Sequence, residues 1–268
     1  MLDMDGFSAW LRENELAEGT QQLYMRFLHD YSQYTGGEPP DKQSIKRWKE
    51  HLLKFNKPQT VNLKLTAISK YCTFAGVSVH IKRVAVQRCT LIRNAITRSE
   101  VEHLIGSLEE DGCERFAVIV RLLAKTGGRI SEVIRITKQD ISRGYVDMQT
   151  KGKVRRIYLP DTLADELAPF LDKLRPGDVL CRNRFGRQIT ARGVGKMLRQ
   201  FAERYGIPPE HVHPHAFRHF YAVEFLKQNP NVALLADTLG HSDINTTRIY
   251  LRQTEEQQRA EITRTVNW

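Results

Sequence analysis

The sequence predicts a mainly α fold with one small antiparallel β-sheet (α+β), and three observations carry that expectation. Apolar residues return every three or four positions through most of the chain, in segments closed by Gly36-Gly37, Gly76 and Gly127-Gly128. Only residues 145–160 have strand-like composition, on either side of Thr150-Lys151-Gly152-Lys153-Val154. A content of 41% hydrophobic residues with a mean hydropathy of −0.46 suits packed helices with polar outer faces.

The elements follow in order. A weak helical pattern lies around Phe7–Leu11. After Thr20, a good N-cap, Leu23, Phe27, Leu28, Tyr31 and Tyr34 recur at helical spacing up to Gly36-Gly37. A helix after Pro39-Pro40-Asp41 places Ile45, Trp48, Leu52 and Phe55 on one stripe, with Lys42, Lys46, Lys49 and Lys54 away from it. Another starts at Pro58 and turns Val61, Leu65, Ile68 and Cys72 inward. Residues 1–85 therefore read as an N-terminal bundle of about four helices. The stretch from 77 onward lacks a long helical period, and residues 86–96 read as the linker.

Thr97-Arg98-Ser99-Glu100 has the form of a capping box and opens a second domain, 97–268. The segment Phe116–Ala124 is apolar nearly all round and reads as a buried helix that stops at Thr126-Gly127-Gly128. Tyr145–Gln149 and Arg155–Pro160 form the expected β-hairpin, with a basic tip. Helices are expected at about 161–174, 191–205, 215–228, 231–239 and 243–251.

Charge narrows the function. Residues 1–41 hold 2 basic and 8 acidic side chains, and residues 42–96 hold 12 basic and one acidic, Glu50. So one-sided a block suits a polyanion, because each Lys or Arg placed near a phosphate releases condensed counterions. It also reads as the solvated face of a basic protein. No run approaches the roughly 20 apolar residues of a membrane helix. The acidic start, Met1 to Asp5, differs from a secretory signal, so a cytoplasmic protein is expected. Cys72, Cys89, Cys113 and Cys181 lie far apart, without metal-ligand spacing, and are expected reduced. There is no convergent acidic or imidazole cluster, no GxxxxGK[ST] or GxGxxG loop and no GxSxG elbow. The expectation is chemistry with no metal and no cofactor.

What remains is a scattered set: Arg129, Lys151, His215, Arg218, His241 and Tyr250. Each alone has an ordinary reading. His215 and Arg218 fit a surface pair one helical turn apart, Arg129 a salt bridge to Glu132, Lys151 a solvated turn, His241 a helix cap and Tyr250 a packed ring. In this order and spacing, however, the stretches Thr126-Gly127-Gly128-Arg129-Ile130-Ser131-Glu132, Lys151-Gly152-Lys153, His215-Ala216-Phe217-Arg218-His219 and Leu239 to Tyr250 resemble the tyrosine recombinase (phage integrase) family. The short two-domain layout is similar to Xer-type members. One departure is Gly128, where the family usually has a larger apolar residue. It leaves Arg129 in place and is expected to loosen the local packing.

The resemblance implies a helical core-binding domain (SAM-like) followed by the family's catalytic domain, and a site-specific DNA strand breakage and rejoining activity. The chemistry asks for such a set. A phosphodiester is anionic and its leaving alkoxide strongly basic, so an enzyme without metal needs fixed positive charge and a proton donor. Arg129 and Arg218 present planar forks to the non-bridging oxygens. A tyrosine is about 0.1% ionised at pH 7, so Tyr250 as nucleophile needs a base, for which His215 is the candidate, or the surrounding cations. Lys151 would protonate the leaving 5′ oxygen and His241 would hydrogen-bond the phosphate. Glu132 and His219 would support them.

The family resemblance further implies a 3′-phosphotyrosyl intermediate, double-stranded DNA with inverted half-sites, and a homotetramer that exchanges a C-terminal helix, for which Glu255–Ile262 is the candidate. Accessory DNA-bending or directionality proteins and a nucleoid-associated location complete the expected setting. Lys42, Lys46, Lys49, Lys64, Lys70, Lys82, Arg83 and Lys153 are the candidate DNA contacts, with the two domains closing around the duplex. The competing expectations are a type IB topoisomerase-like or telomere-resolving enzyme, and a catalytically silent DNA-binding protein.

Overall fold

The computed structural model describes residues 2–86, 95–150, 153–240, 247 and 262–266, the side chains of Thr150 and Lys153 excepted. The chain divides into two units, Met1–Arg88 and Cys89–Trp268. Both are built mainly of helices, and the second carries a two-stranded antiparallel sheet. Among the described residues, no helix is long and apolar enough to cross a membrane.

The first unit packs α1 (Met4–Glu13), α2 (Glu18–Thr35), α3 (Lys42–Leu53) and α4 (Pro58–Phe74) around Phe7, Leu11, Leu28, Tyr31, Trp48, Leu65 and Ile68, all buried. Each such side chain removed from water stabilises the unit by about 1.5–3 kcal/mol. The buried Tyr31 hydroxyl meets Ser44 Oγ at 2.7 Å, and Asp41 caps α3 through Ser44 N at 2.6 Å. Two expectations shift. Helix α2 starts before Thr20, because the amides of Thr20 and Gln21 both bond the Ala17 carbonyl and the first turn is already wound there. Phe55 lies beyond the end of α3 and is 76% exposed rather than inward. The segment after α4 folds back, with Val77, Val79, Ile81 and Val84 packing on the bundle and Asn62 bonding both backbone groups of Val84.

The second unit is centred on α6 (Glu114–Thr126), whose Val118, Ile119, Val120, Leu122 and Leu123 are all buried. Around it lie α5 (Arg98–Glu110), opened by the Thr97–Glu100 capping box, α9 (Asp161–Leu171) and α11 (Pro214–Gln228). Two short helices that periodicity did not reveal, α7 (Ile130–Val133) and α8 (Lys138–Arg143), lead into β1 (Tyr145–Thr150) and β2 (Lys153–Tyr158). The strands reach closer to the turn than expected, pairing Val146 with Ile157 and Met148 with Arg155. Helix α10 (Ala191–Arg204) buries Val194, Leu198 and Phe201, and α12 (Val232–Leu239) forms a separate small cluster, its Leu235 and Leu239 with Ala222 of α11. Of the helix expected at 243–251, only Thr247 is described, and it is helical and buried. Of Glu255–Ile262, only Ile262 is described, and it is helical.

Candidate active site

The site begins where α6 ends. Gly127 caps the helix at φ +59, a left-handed conformation that costs little only for glycine. A Cβ on Gly127 would overlap the ring of Tyr221 on α11. Gly128 corrects an expectation: its surroundings are tight, not loosened, since a Cβ there would lie 2.8 Å from Val133 Cγ2 and 3.2 Å from Thr126 Oγ1. The turn is held by Gly128 N donating to Thr126 Oγ1 at 3.1 Å and Thr126 Oγ1 donating to the Leu122 carbonyl at 2.7 Å.

This turn presents Arg129 at the N-terminus of α7. Its amide donates to Glu132 Oε2 at 2.7 Å and its Nη1 to Glu132 Oε1 at 3.1 Å. The buried carboxylate thereby orients a guanidinium that stays 44% exposed. The Nη2 of Arg129 reaches the Gly240 carbonyl at 3.3 Å. Arg218 arrives from α11 and is buried. Its Nη1 donates to the Gly127 carbonyl at 2.9 Å and its Nη2 to the Leu239 carbonyl at 2.6 Å. Two arginines from separate helices thus grip neighbouring peptides at the C-terminus of α12, where unsatisfied carbonyls favour cations.

His215 lies one turn before Arg218 on α11. Packing around its ring desolvates it although the residue reaches solvent, and with the charges of Arg218 and His213 this holds the imidazole below its ordinary pKa. A neutral ring able to accept a proton results. The His219 ring meets it edge to face, with centroids 4.3 Å apart. His213 caps α11, its Nδ1 accepting from Ala216 N at 3.1 Å. The structure thus gathers Arg129, Glu132, His215, Arg218 and His219. Lys151, His241 and Tyr250 lie outside the described residues, as does the side chain of Lys153.

Two features escaped sequence reasoning. Arg155 on β2 is nearly buried, and it donates from Nη1 to Glu132 Oε2 at 2.7 Å and from Nη2 to the Thr238 carbonyl at 2.7 Å. Its signal was strand alternation: residue 155 shares the inward face with Ile157, an unusual place for a charge. On α10, Arg192, Lys196 and Arg199 form an exposed basic stripe at helical spacing. The near-balanced charge of residues 97–268 concealed it.

The basic candidates of the first unit separate. Lys42, Lys46, Lys70, Lys82 and Arg83 are exposed. Lys49 Nζ donates to the Lys82 carbonyl at 2.7 Å. Lys64 departs from the picture of a solvated lysine: its ammonium is 2.7 Å from Asp30 Oδ2 and lies over the Phe27 ring, with 14% of the side chain exposed.

Residues 94–257 match the model of the Phage integrase family. The chain is 26% identical over 261 residues to tyrosine recombinase XerA of Pyrococcus furiosus, covering 94% of this chain and 89% of that protein. It is 28% identical over 278 residues to tyrosine recombinase XerD of Halalkalibacterium halodurans, covering 92% and 91%. Among solved structures, the Tn1549 transposon integrase in complex with circular intermediate DNA superposes with a TM-score of 0.76 at 18% identity, over 98% of this chain and 99% of that one. A lambda integrase dimer bound to a core site gives 0.77 at 15% identity, over 94% and 95%. These likenesses in structure concern the fold. The family match spans well over half the sequence and includes the turn, the hairpin and both arginine-bearing segments, so the chain belongs to the phage integrase family and is a tyrosine recombinase, an enzyme of site-specific DNA recombination.

Proposed function

We propose that the chain cuts and rejoins double-stranded DNA at inverted half-sites through a 3′-phosphotyrosyl link on Tyr250. One observation carries the reading: Arg129 and Arg218, far apart in sequence, hold the Gly240 and Leu239 carbonyls just before the chain runs on to His241. Solved relatives captured on transposon and core-site DNA support DNA as the partner.

The phenol oxygen of Tyr250 attacks phosphorus as its proton passes to neutral His215. The bond from phosphorus to the 5′ oxygen breaks, and Lys151 supplies that oxygen's proton. Arg129 and Arg218, with His241, hold the charge that builds on the non-bridging oxygens. The products are a tyrosyl phosphodiester at the 3′ end and a free 5′ hydroxyl. A 5′ hydroxyl of the other strand then attacks, releasing Tyr250. The number of phosphodiester bonds is conserved, so neither ATP nor water is consumed.

Residues 1–85 serve as the core-binding domain, offering Lys42, Lys46, Lys70, Lys82 and Arg83 to phosphates, and residues 97–268 carry the chemistry. The exposed stripe of Arg192, Lys196 and Arg199, on the helix preceding the His215 segment, supports a second row of DNA contacts. Four copies on paired sites, held by exchanged C-terminal segments, with accessory bending or directionality proteins in the cytoplasm, complete the assembly. The test is covalent capture. Nicked duplexes from a randomised pool are incubated with the chain and recovered as detergent-resistant adducts. Adducts are expected with the wild type and absent with Tyr250→Phe, and captured sites placed on two plasmids should yield recombinants. Adducts that persist in Tyr250→Phe would overturn the assignment.

A further inference from the structure

We infer that Arg155 is a positioning residue that locks the β-hairpin to the arginine pocket, so that placing the hairpin and aiming Arg129 are one event. The inference rests on the reading of Arg129 and the hairpin given above, and adds a residue to it. Arg155 leaves β2 on its inward face, opposite Met148. Its guanidinium makes three bonds: Nη1 to Glu132 Oε2 at 2.7 Å, and Nε and Nη2 to the Thr238 carbonyl at 3.1 and 2.7 Å. Glu132 is therefore shared. One oxygen faces the Arg129 side chain, while the other takes both the Arg129 amide and Arg155.

The consequences run in three directions. Without Arg155, Glu132 keeps a single guanidinium partner and gains rotational freedom, and Arg129 loses its aim. The hairpin loses its tie to α12 on the strand that leads from Lys151. The C-terminus of α12, which precedes His241, loses the cation on the Thr238 carbonyl and keeps Arg218 and Arg129 on the two carbonyls that follow. Gly240 fits this role, since its backbone is left-handed at φ +64 and a Cβ there would overlap the Arg155 side chain where it crosses. A lysine carries the same charge but cannot reach a carboxylate and a carbonyl in two directions at once.

Arg155 touches no reacting atom in this scheme, so its loss should slow the chemistry rather than weaken DNA binding. The test uses the full-length chain and a nicked duplex obtained by covalent capture on the wild type. The rate constant of single-turnover adduct formation is measured at saturating DNA, below the melting temperature of every variant. A merely structural role lowers the amplitude, which counts folded molecules, and spares the rate constant. Arg155→Met is expected to lower the rate constant by about 100-fold, with noncovalent affinity within about threefold, and Arg155→Lys by about 10-fold. Combined with Glu132→Gln, Arg155→Met should cost little beyond the worse single change, because both act through one contact. An unchanged rate constant in Arg155→Met, or multiplying effects in the double variant, overturns the inference while leaving the recombinase reading standing. Failure of the wild type to capture any duplex overturns that reading, and this inference with it.

Discussion

Arg218, buried on α11, donates to the carbonyl of Leu239, the last residue of α12, at 2.6 Å, and through its other terminal nitrogen to Gly127. One planar cation thereby fixes the distance between the turn that presents Arg129 and the helix end that precedes His241. Arg218→Lys keeps the charge and loses the fork. It should lower stability by about 1–3 kcal/mol by leaving a buried carbonyl without its donor. Denaturant titration measures the loss, and adduct formation should fall by at least about 100-fold. A variant as stable and active as the wild type would remove Arg218 from the frame.

Glycine changes should have opposite signs at two positions. Gly106→Ala, inside α5 with nothing near a new methyl group, should stabilise by about 0.5–1 kcal/mol. Gly127→Ala meets both a left-handed backbone and the Tyr221 ring, and should destabilise by about 2 kcal/mol or more. Thermal melts of the pair decide, and equal signs would contradict the turn geometry.

His215 sets a pH dependence. Desolvation, then Arg218 and His213, hold its pKa below the ordinary histidine value, so the unfolded chain binds the proton more readily than the folded one. The neutral ring's contribution to stability is present above the ordinary value of about 6.5 and is lost as pH falls through the lowered folded value. Adduct formation should show its acid limb below about pH 6.5. His215→Gln should flatten the fall in melting temperature on the acid side, and a limb at or above the ordinary value would contradict this.

Lysines of the first unit should differ by their contacts. Replacing Lys42, Lys46, Lys70 and Lys82 together should flatten the salt dependence of DNA binding. Lys64→Met should leave that slope alone and cost about 1 kcal/mol of stability, since its ammonium is committed to Asp30 and Phe27. A large slope change in Lys64→Met would show that the pair opens on DNA.

Much of this fold could be read from the chain because its signals are local. Pro58 at the first turn of α4 and the glycines at 36 and 127 mark boundaries through backbone sterics, and the Thr97–Glu100 box does so through side-chain bonds to nearby amides. Thr20 misled because a good cap residue is also tolerated inside a helix once Ala17 has begun the turn. Motif context singled out Arg129, His215 and Arg218, and spacing offered the Arg129–Glu132 pair that the structure shows, but the partners on distant elements were not legible. Arg155, Thr238 and Glu132 meet only in three dimensions, and no spacing in the sequence encodes a guanidinium reaching from a strand to a helix end.

The most direct test of the whole account is the site of covalent attachment. The adduct formed on a nicked captured duplex is digested with protease and nuclease, and the DNA-linked peptide is sequenced by mass spectrometry. The account predicts one modified residue, Tyr250, bearing the 3′ phosphate, with a free 5′ hydroxyl on the released strand. Attachment at any other residue, or linkage through a 5′ phosphate, would contradict it.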